Sequence, residues 1–515
     1  MKRKIKFLLI LTLLFSFILR FYKFDQTLRF DADEAMAYLI AERIIEDKFL
    51  LLVGPFTSLG QSVNVVPPTY YYLITFLYWL FRSAIAVTFV FLLIEIAAVY
   101  FIFRFGQLLT GARTGMLSAL YFAVSSSMIS YSRDIWMPYR LPFFIAVSFY
   151  LIFLSSLKKS GRLLLLSLIF YVISLMYISS LLLFLPFIVL YLQAYKKINH
   201  KEKIYKGLLQ IIFALFLFYL PVFLFEIRNN YPFLDFIRNI STSNQNLITF
   251  GFENYISSLT ANIKLFIRSI FVADFNFLPL IFLFLTLFIY SCSNKEIKFK
   301  KEILIILTVF SSGFLLSGFY GGKILIYHLA PLYPFFFILS AYITSVINTA
   351  LLKKFSIANF TVFTIILFFI LKYFIGNFLA ENSRFNNLSG YHNRNQGFYM
   401  VAQYILQSSE NKGFNIFTVT PDDKTGYHTT SYYYVLNKFS EINRIPFNNA
   451  GNWLNPFPAE KKELLFLICK NYNATEKLQD DQCLDETENI IEVKRGNVVE
   501  KKYMIYDIVY KIKTN

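Results

Sequence analysis

Runs of about 20 predominantly apolar residues recur along the first 375 positions of this chain, separated by short stretches that carry clustered Lys and Arg. A hydrocarbon layer roughly 30 Å thick offers no water to backbone N–H and C=O groups, so a run of that length crosses it as a helix. Composition supports this reading. Only 16% of residues are charged, against about 25% in ordinary soluble domains. Sixty-one Phe and thirty-six Tyr are too much apolar area for a disordered chain. The expected fold class is an all-α polytopic membrane bundle.

The apolar runs lie near 5–22, 83–103, 114–130, 141–157, 163–178, 179–195, 204–224, 275–292, 303–319, 327–350 and 355–375, which makes about 11 transmembrane helices. The first follows Met1-Lys2-Arg3-Lys4 and leads into Lys23-Phe24-Asp25 with no small-residue cleavage site, so it reads as an uncleaved anchor with its N-terminus inside. A net charge of +18 would suggest nucleic acid in a soluble protein. Residues 376–515, however, hold sixteen basic and sixteen acidic residues, so the whole excess belongs to residues 1–375. Twenty of the thirty-four basic residues there fall in the short inner segments that an N-in topology defines. That is the positive-inside pattern of a multi-pass plasma-membrane protein, and no nucleic acid partner is needed. Stretch 163–195 has basic flanks at both ends that want the same side, so it reads as two short spans turning near 176–180.

The membrane domain is expected to occupy 1–375 and an extracytoplasmic α/β domain 376–515. In the latter, 397–408 and 431–439 have helical spacing, while 414–420, 463–469 and 503–512 read as strands. Two further outer segments, 23–82 and 225–274, are long for a compact protein, and loops of such length are usually functional.

The first outer loop opens with Arg29-Phe30-Asp31-Ala32-Asp33-Glu34-Ala35-Met36-Ala37-Tyr38. Met36, Leu39, Ile40 and Ile44 share one helical face while Glu42, Arg43, Glu46 and Asp47 lie toward the other, which predicts an amphipathic helix in the membrane interface. Asp31 and Glu34 have capping-box spacing, which accounts for two of the three carboxylates and leaves Asp33 unassigned. A partly desolvated Asp at a bilayer surface is suited to abstracting a proton from a hydroxyl. Further on, Pro67-Pro68-Thr69-Tyr70-Tyr71-Tyr72 opens a second interfacial helix, since paired prolines can begin a helix but not sit inside one.

These features, together with Ser132-Arg133 after the third span, resemble the GT-C membrane glycosyltransferases, and within them the protein O-mannosyltransferase and aminoarabinose lipid A transferase superfamily. The resemblance covers roughly 1–350 in topology and the first 150 residues in motifs. It implies transfer of a hexose or pentose, with inversion, from a polyprenyl-phosphate donor to a protein, lipid or glycan acceptor on the outer side. Asp33 would then be the base and Glu34 would orient acceptor or sugar, with Asp31 a competing carboxylate and Tyr38 a substrate contact. Val65-Val66 stand before the prolines where the aminoarabinose branch commonly has a lysine, so the resemblance does not extend to lipid A as acceptor.

A departing phosphate needs cations or hydrogen-bond donors. Arg133 and Arg140 lie on the expected outer side, where the positive-inside rule does not account for them; a local ion pair of Arg133 with Asp134 is the structural alternative. Lys323, Tyr327 and His328 precede the tenth span and match a family position for phosphate and sugar contacts. The four His show no ligand spacing, so no obligatory metal cofactor is expected, although Asp31, Asp33 and Glu34 have the chemistry to hold a divalent cation. Cys469 and Cys483 would be able to pair in an oxidising compartment. A lipid flippase or transporter and an oligosaccharide polymerase or ligase share the multispan plan; a transporter would place ionisable groups at mid-membrane depth, where only Glu95 falls.

Overall fold

The computed structural model describes residues 3–24, 28, 30, 32–48, 50–54, 67–200, 202–231, 251–271, 301–320, 324–352, 391–410, 412–419, 430–436, 463–470, 483–484, 497–504 and 507–513. Asp31, Lys323 and the expected spans 275–292 and 355–375 lie outside these residues.

The first helix, α1 (Arg3–Phe21), covers most of the first expected span. Helices α2 (Ala32–Glu46) and α3 (Thr69–Phe81) follow and pack on each other. Pro68 opens α3, where its missing N–H costs nothing. At the other end Arg82 adopts a left-handed conformation (φ 49°) that stops α3, and the Ser83 hydroxyl accepts the Ala86 N–H to start α4 (Ala84–Thr110). Two residues thereby separate an interfacial helix from a span.

Helix α4 turns back into α5 (Ala112–Val124) through Gly111, whose φ of 111° suits glycine. The two helices approach unusually closely. A Cβ on Gly115 would stand 2.5 Å from the Phe103 carbonyl and 2.9 Å from the Gln107 nitrogen, both backbone atoms that cannot swing aside. Gly115→Ala is therefore expected to push α4 and α5 apart at a cost of about 1–3 kcal/mol, read as a lowered melting temperature in detergent; an unchanged melting temperature would count against so close a contact.

After the short helix α6 (Ser126–Tyr131) and a 3-10 turn at Met137–Arg140, the chain continues as α7 (Leu141–Lys158), α8 (Gly161–Ser174), a 3-10 turn at Ile178–Leu183 and α9 (Phe184–Ile198). The Tyr171 ring of α8 lies flat on Phe187 of α9, 3.7 Å between centroids. In one continuous helix those residues would be about 24 Å apart, so the chain reverses between them, at the turn that the charge pattern placed near 176–180. Helix α10 (Tyr205–Arg228) and, beyond 231, α11 (Phe252–Phe271), α12 (Lys301–Ser317), a 3-10 turn at Ile326–Leu332 and α13 (Tyr333–Leu352) follow among the described residues. Among the described residues five helical segments are long and apolar enough to cross a membrane. Helix α11 falls in the stretch read as outer loop 225–274. It packs by Phe266 against Phe310, Phe314 and Tyr333, and by Asn262, whose side-chain N–H donates to the Ser317 carbonyl at 3.0 Å.

The C-terminal part contains α14 (Tyr391–Ser408), a helical segment at 430–436, and a sheet of order β1-β2-β4-β3: β1 (Phe414–Val419), β2 (Leu464–Lys470), β3 (Val498–Tyr503) and β4 (Asp507–Lys513). β1 and β2 run parallel, and the other neighbours antiparallel. Cys469 at the end of β2 is disulfide-bonded to Cys483, 14 residues on, closing a loop of a size worth about 3 kcal/mol in the chain-entropy account.

Candidate active site at the turn end of the bundle

The connections after α1, before α3, after α6, between α8 and α9 and before α13 meet at one end of the bundle. The Tyr70 hydroxyl donates to the Ile135 carbonyl. Trp136 stands edge-on to Tyr327 at 4.2 Å, and Tyr177 lies 6.1 Å from Tyr327 and stacked over His328 at 5.9 Å. Tyr139 backs Trp136 at 5.3 Å and lies flat on Tyr131 at 3.9 Å. Clusters such as Lys158/Lys159/Arg162 and Lys196/Lys197 sit at the other ends of the same helices.

Asp33 and Glu34 occupy the first turn of α2, where backbone N–H groups favour negative charge. Neighbours on a helix point about 100° apart, so the two carboxylates part company. Asp33 is exposed and its charge acts on Tyr71, Tyr177 and Tyr327, which come from three separate elements. Glu34 is buried and acts on Tyr70. Burial, reinforced by the Asp33 charge, holds the Tyr71 hydroxyl well above the usual phenol range, and burial together with Tyr327 and Asp33 does the same for Tyr177. Both hydroxyls therefore stay protonated at neutral pH. His328 accepts the Leu325 N–H on Nδ1 at 2.9 Å, so its neutral ring carries a proton on Nε2 and offers a donor.

The expected cations are employed differently from the sequence reading. Arg140 is fully buried; it donates to Glu95 Oε1 at 3.3 Å, to the Phe91 carbonyl at 3.1 Å, to the Asp134 carbonyl at 2.8 Å and to the Tyr131 carbonyl. Arg133 is 3% exposed and donates at 3.1 Å to the Leu19 and Tyr22 carbonyls at the end of α1. In return Arg20 of α1 donates to the Ala123 carbonyl at 2.8 Å and the Phe122 carbonyl at 3.4 Å, at the end of α5. Arg133 thus satisfies orphan carbonyls at the end of α1, and Arg20 those at the end of α5. Arg133 and Arg140 thus shape the 131–140 turn and through it set Trp136 and Tyr139. Glu95, the residue a transporter reading would need, is tied to Arg140 with both side chains fully enclosed.

Two further expectations are corrected. Tyr38 is 1% exposed, donates to the Ala84 carbonyl at 3.1 Å and packs against Phe30 and Tyr78, so it belongs to the core and not to a substrate surface. Glu42 does not face solvent: it accepts the Tyr78 hydroxyl at 2.7 Å and is 4% exposed, because the C-terminal part covers that side of α2. Tyr177 escaped the sequence reading although the turn that carries it was anticipated. Among the described residues no three His, Cys, Asp or Glu side chains gather as a metal site.

A largely helical bundle with two helices packed together after α1, an acidic first turn and a terminal α/β part has the GT-C architecture. Solved structures share it over nearly the whole chain. ArnT from Cupriavidus metallidurans bound to undecaprenyl phosphate superposes with a TM-score of 0.59 at 12% identity, covering 98% of this chain and 97% of that one. AglB, the archaeal oligosaccharyltransferase from Archaeoglobus fulgidus in complex with an inhibitory peptide and a dolichol-phosphate, superposes with a TM-score of 0.50 at 12% identity, covering 91% and 69%. At such identity the likeness is one of fold. No protein-family model matches the sequence, and neither does any curated protein.

Proposed function

We propose that this protein is an inverting membrane glycosyltransferase that moves a sugar from a polyprenyl-phosphate donor to a hydroxyl-bearing acceptor at the outer face of the plasma membrane. The observation that carries the reading is the solvent-exposed carboxylate of Asp33 at a helix N-terminus, whose charge acts on tyrosines of three separate elements. Two solved structures of the same fold hold undecaprenyl phosphate and dolichol-phosphate, which supports a lipid phosphate as the leaving group.

In this mechanism the acceptor hydroxyl gives its proton to Asp33 as its oxygen attacks the anomeric carbon opposite the phosphate. The carbon–phosphate-oxygen bond breaks, the phosphate leaves with the electron pair, and the configuration inverts. General-base assistance of this kind is typically worth about 10²–10⁴-fold. Since Arg133 and Arg140 are consumed in the scaffold, charge on the leaving phosphate is met by the His328 Nε2–H, by the tyrosine hydroxyls and by Lys323. Glu34, enclosed beside Tyr70, orients that wall.

The test is reconstitution in proteoliposomes with undecaprenyl-phosphate-linked hexoses and pentoses, together with mass spectrometry of copurifying lipid. Sugar transfer with release of undecaprenyl phosphate is expected. Movement of the intact lipid-linked sugar across the bilayer without cleavage would overturn the reading.

A further inference from the structure

Helix α2 touches more than the bundle. Its neighbour Phe30 packs on Tyr434 at 5.4 Å and on Phe398 of α14 at 6.3 Å, and Tyr38 packs on Tyr434 at 5.9 Å. Within this apolar contact runs a buried polar chain. The Tyr434 hydroxyl is hydrogen-bonded with that of Tyr78, which donates to Glu42 Oε1 at 2.7 Å. Two residues earlier, Tyr432 donates to Asp507 Oδ2 of β4 at 2.6 Å. Residues two apart on a helix point in nearly opposite directions, so segment 430–436 faces the sheet with Tyr432 and the α2–α3 pair with Tyr434. A buried carboxylate with a fixed donor is costly to disturb, which makes the chain a rigid link.

We propose that Tyr434 is a positioning residue: through Tyr78 and Glu42 it couples the C-terminal sheet to α2 and fixes the direction in which the first turn presents Asp33. The inference rests on the reading of Asp33 as the base. It assigns the C-terminal part a role in catalysis although none of its described side chains borders Asp33 in the aromatic wall. Tyr434 acts at a distance, as a misplacement of about 1 Å at a reacting group can cost about 10²-fold in rate.

The test uses the full chain in nanodiscs, with undecaprenyl-phosphate hexoses as donor probe and undecaprenyl phosphate as binding probe. Tyr434→Phe keeps the ring contacts and removes the hydroxyl. It is expected to lower kcat several-fold, leave undecaprenyl phosphate affinity unchanged, and speed amide hydrogen exchange across 33–46 while the sheet stays protected. Glu42→Gln, which preserves an oxygen acceptor for Tyr78, should retain most turnover, whereas Glu42→Leu should not. Unchanged kcat and exchange in Tyr434→Phe would overturn the proposal, as would exchange that rises equally in the sheet, the mark of a merely structural role. Full turnover in Asp33→Asn would remove the base assignment instead, and exchange across 33–46 would still decide whether the coupling exists.

Discussion

Asp33→Asn is expected to abolish sugar transfer, by about 10²–10⁴-fold, while the protein accumulates normally and binds undecaprenyl phosphate as before. The separation follows from where the side chain sits. Asp33 is exposed, so its replacement opens no cavity. The loss to folding from the interaction of its charge with the start of α2 is about 0.3–1 kcal/mol at an exposed site. Initial rates, a thermal melt and a lipid-binding isotherm on the same preparation check the three parts. Undiminished transfer would take Asp33 out of the mechanism.

The largest expected effect on stability belongs to Arg140. Arg140→Met leaves the Glu95 carboxylate fully enclosed without its cation and releases the carbonyls of Tyr131 and Asp134. Breaking a buried pair from one side costs about 3–5 kcal/mol, a large share of the net stability of a typical domain. The variant is expected to accumulate poorly and to melt well below the parent in detergent. Glu95→Gln should be much milder, because an amide oxygen can still accept from Arg140. Equal melting temperatures for Arg140→Met and the parent would show that the turn is held by other contacts.

The helical bundle and the acidic helix were legible because both depend on local features: apolar run length and a proline pair that can only start a helix. The turn at 176–180 was legible for the same reason, since the charges flanking 163–195 demanded it. The roles of Arg133 and Arg140 were not. Outside the reach of the positive-inside rule, an arginine can bind a ligand or cap a helix, and the choice depends on Leu19, Tyr22 and Phe91, which are remote in sequence. Glu42 was misread for a related reason: an amphipathic pattern supposes water above the polar face, whereas Tyr434 and Phe398 arrive from far along the chain to cover it. Helix α11 was overlooked despite apolar spacing at Tyr255, Leu259, Phe266 and Ile270, because its Ser, Asn and Lys dilute the run below what a span requires. Strand β3 reads Val-Val-Glu-Lys-Lys-Tyr, and as a sheet edge it needs few apolar residues.

The capping of α5 by Arg20 bears on how the protein is made. Arg20 is synthesised well before the carbonyls it serves, which lie 102 and 103 residues downstream. Until that stretch is made, α1 carries a guanidinium whose long-range acceptors have not been synthesised. Such a segment is poorly suited to release into lipid alone, and it gains from being retained beside the insertion machinery until its later companion arrives.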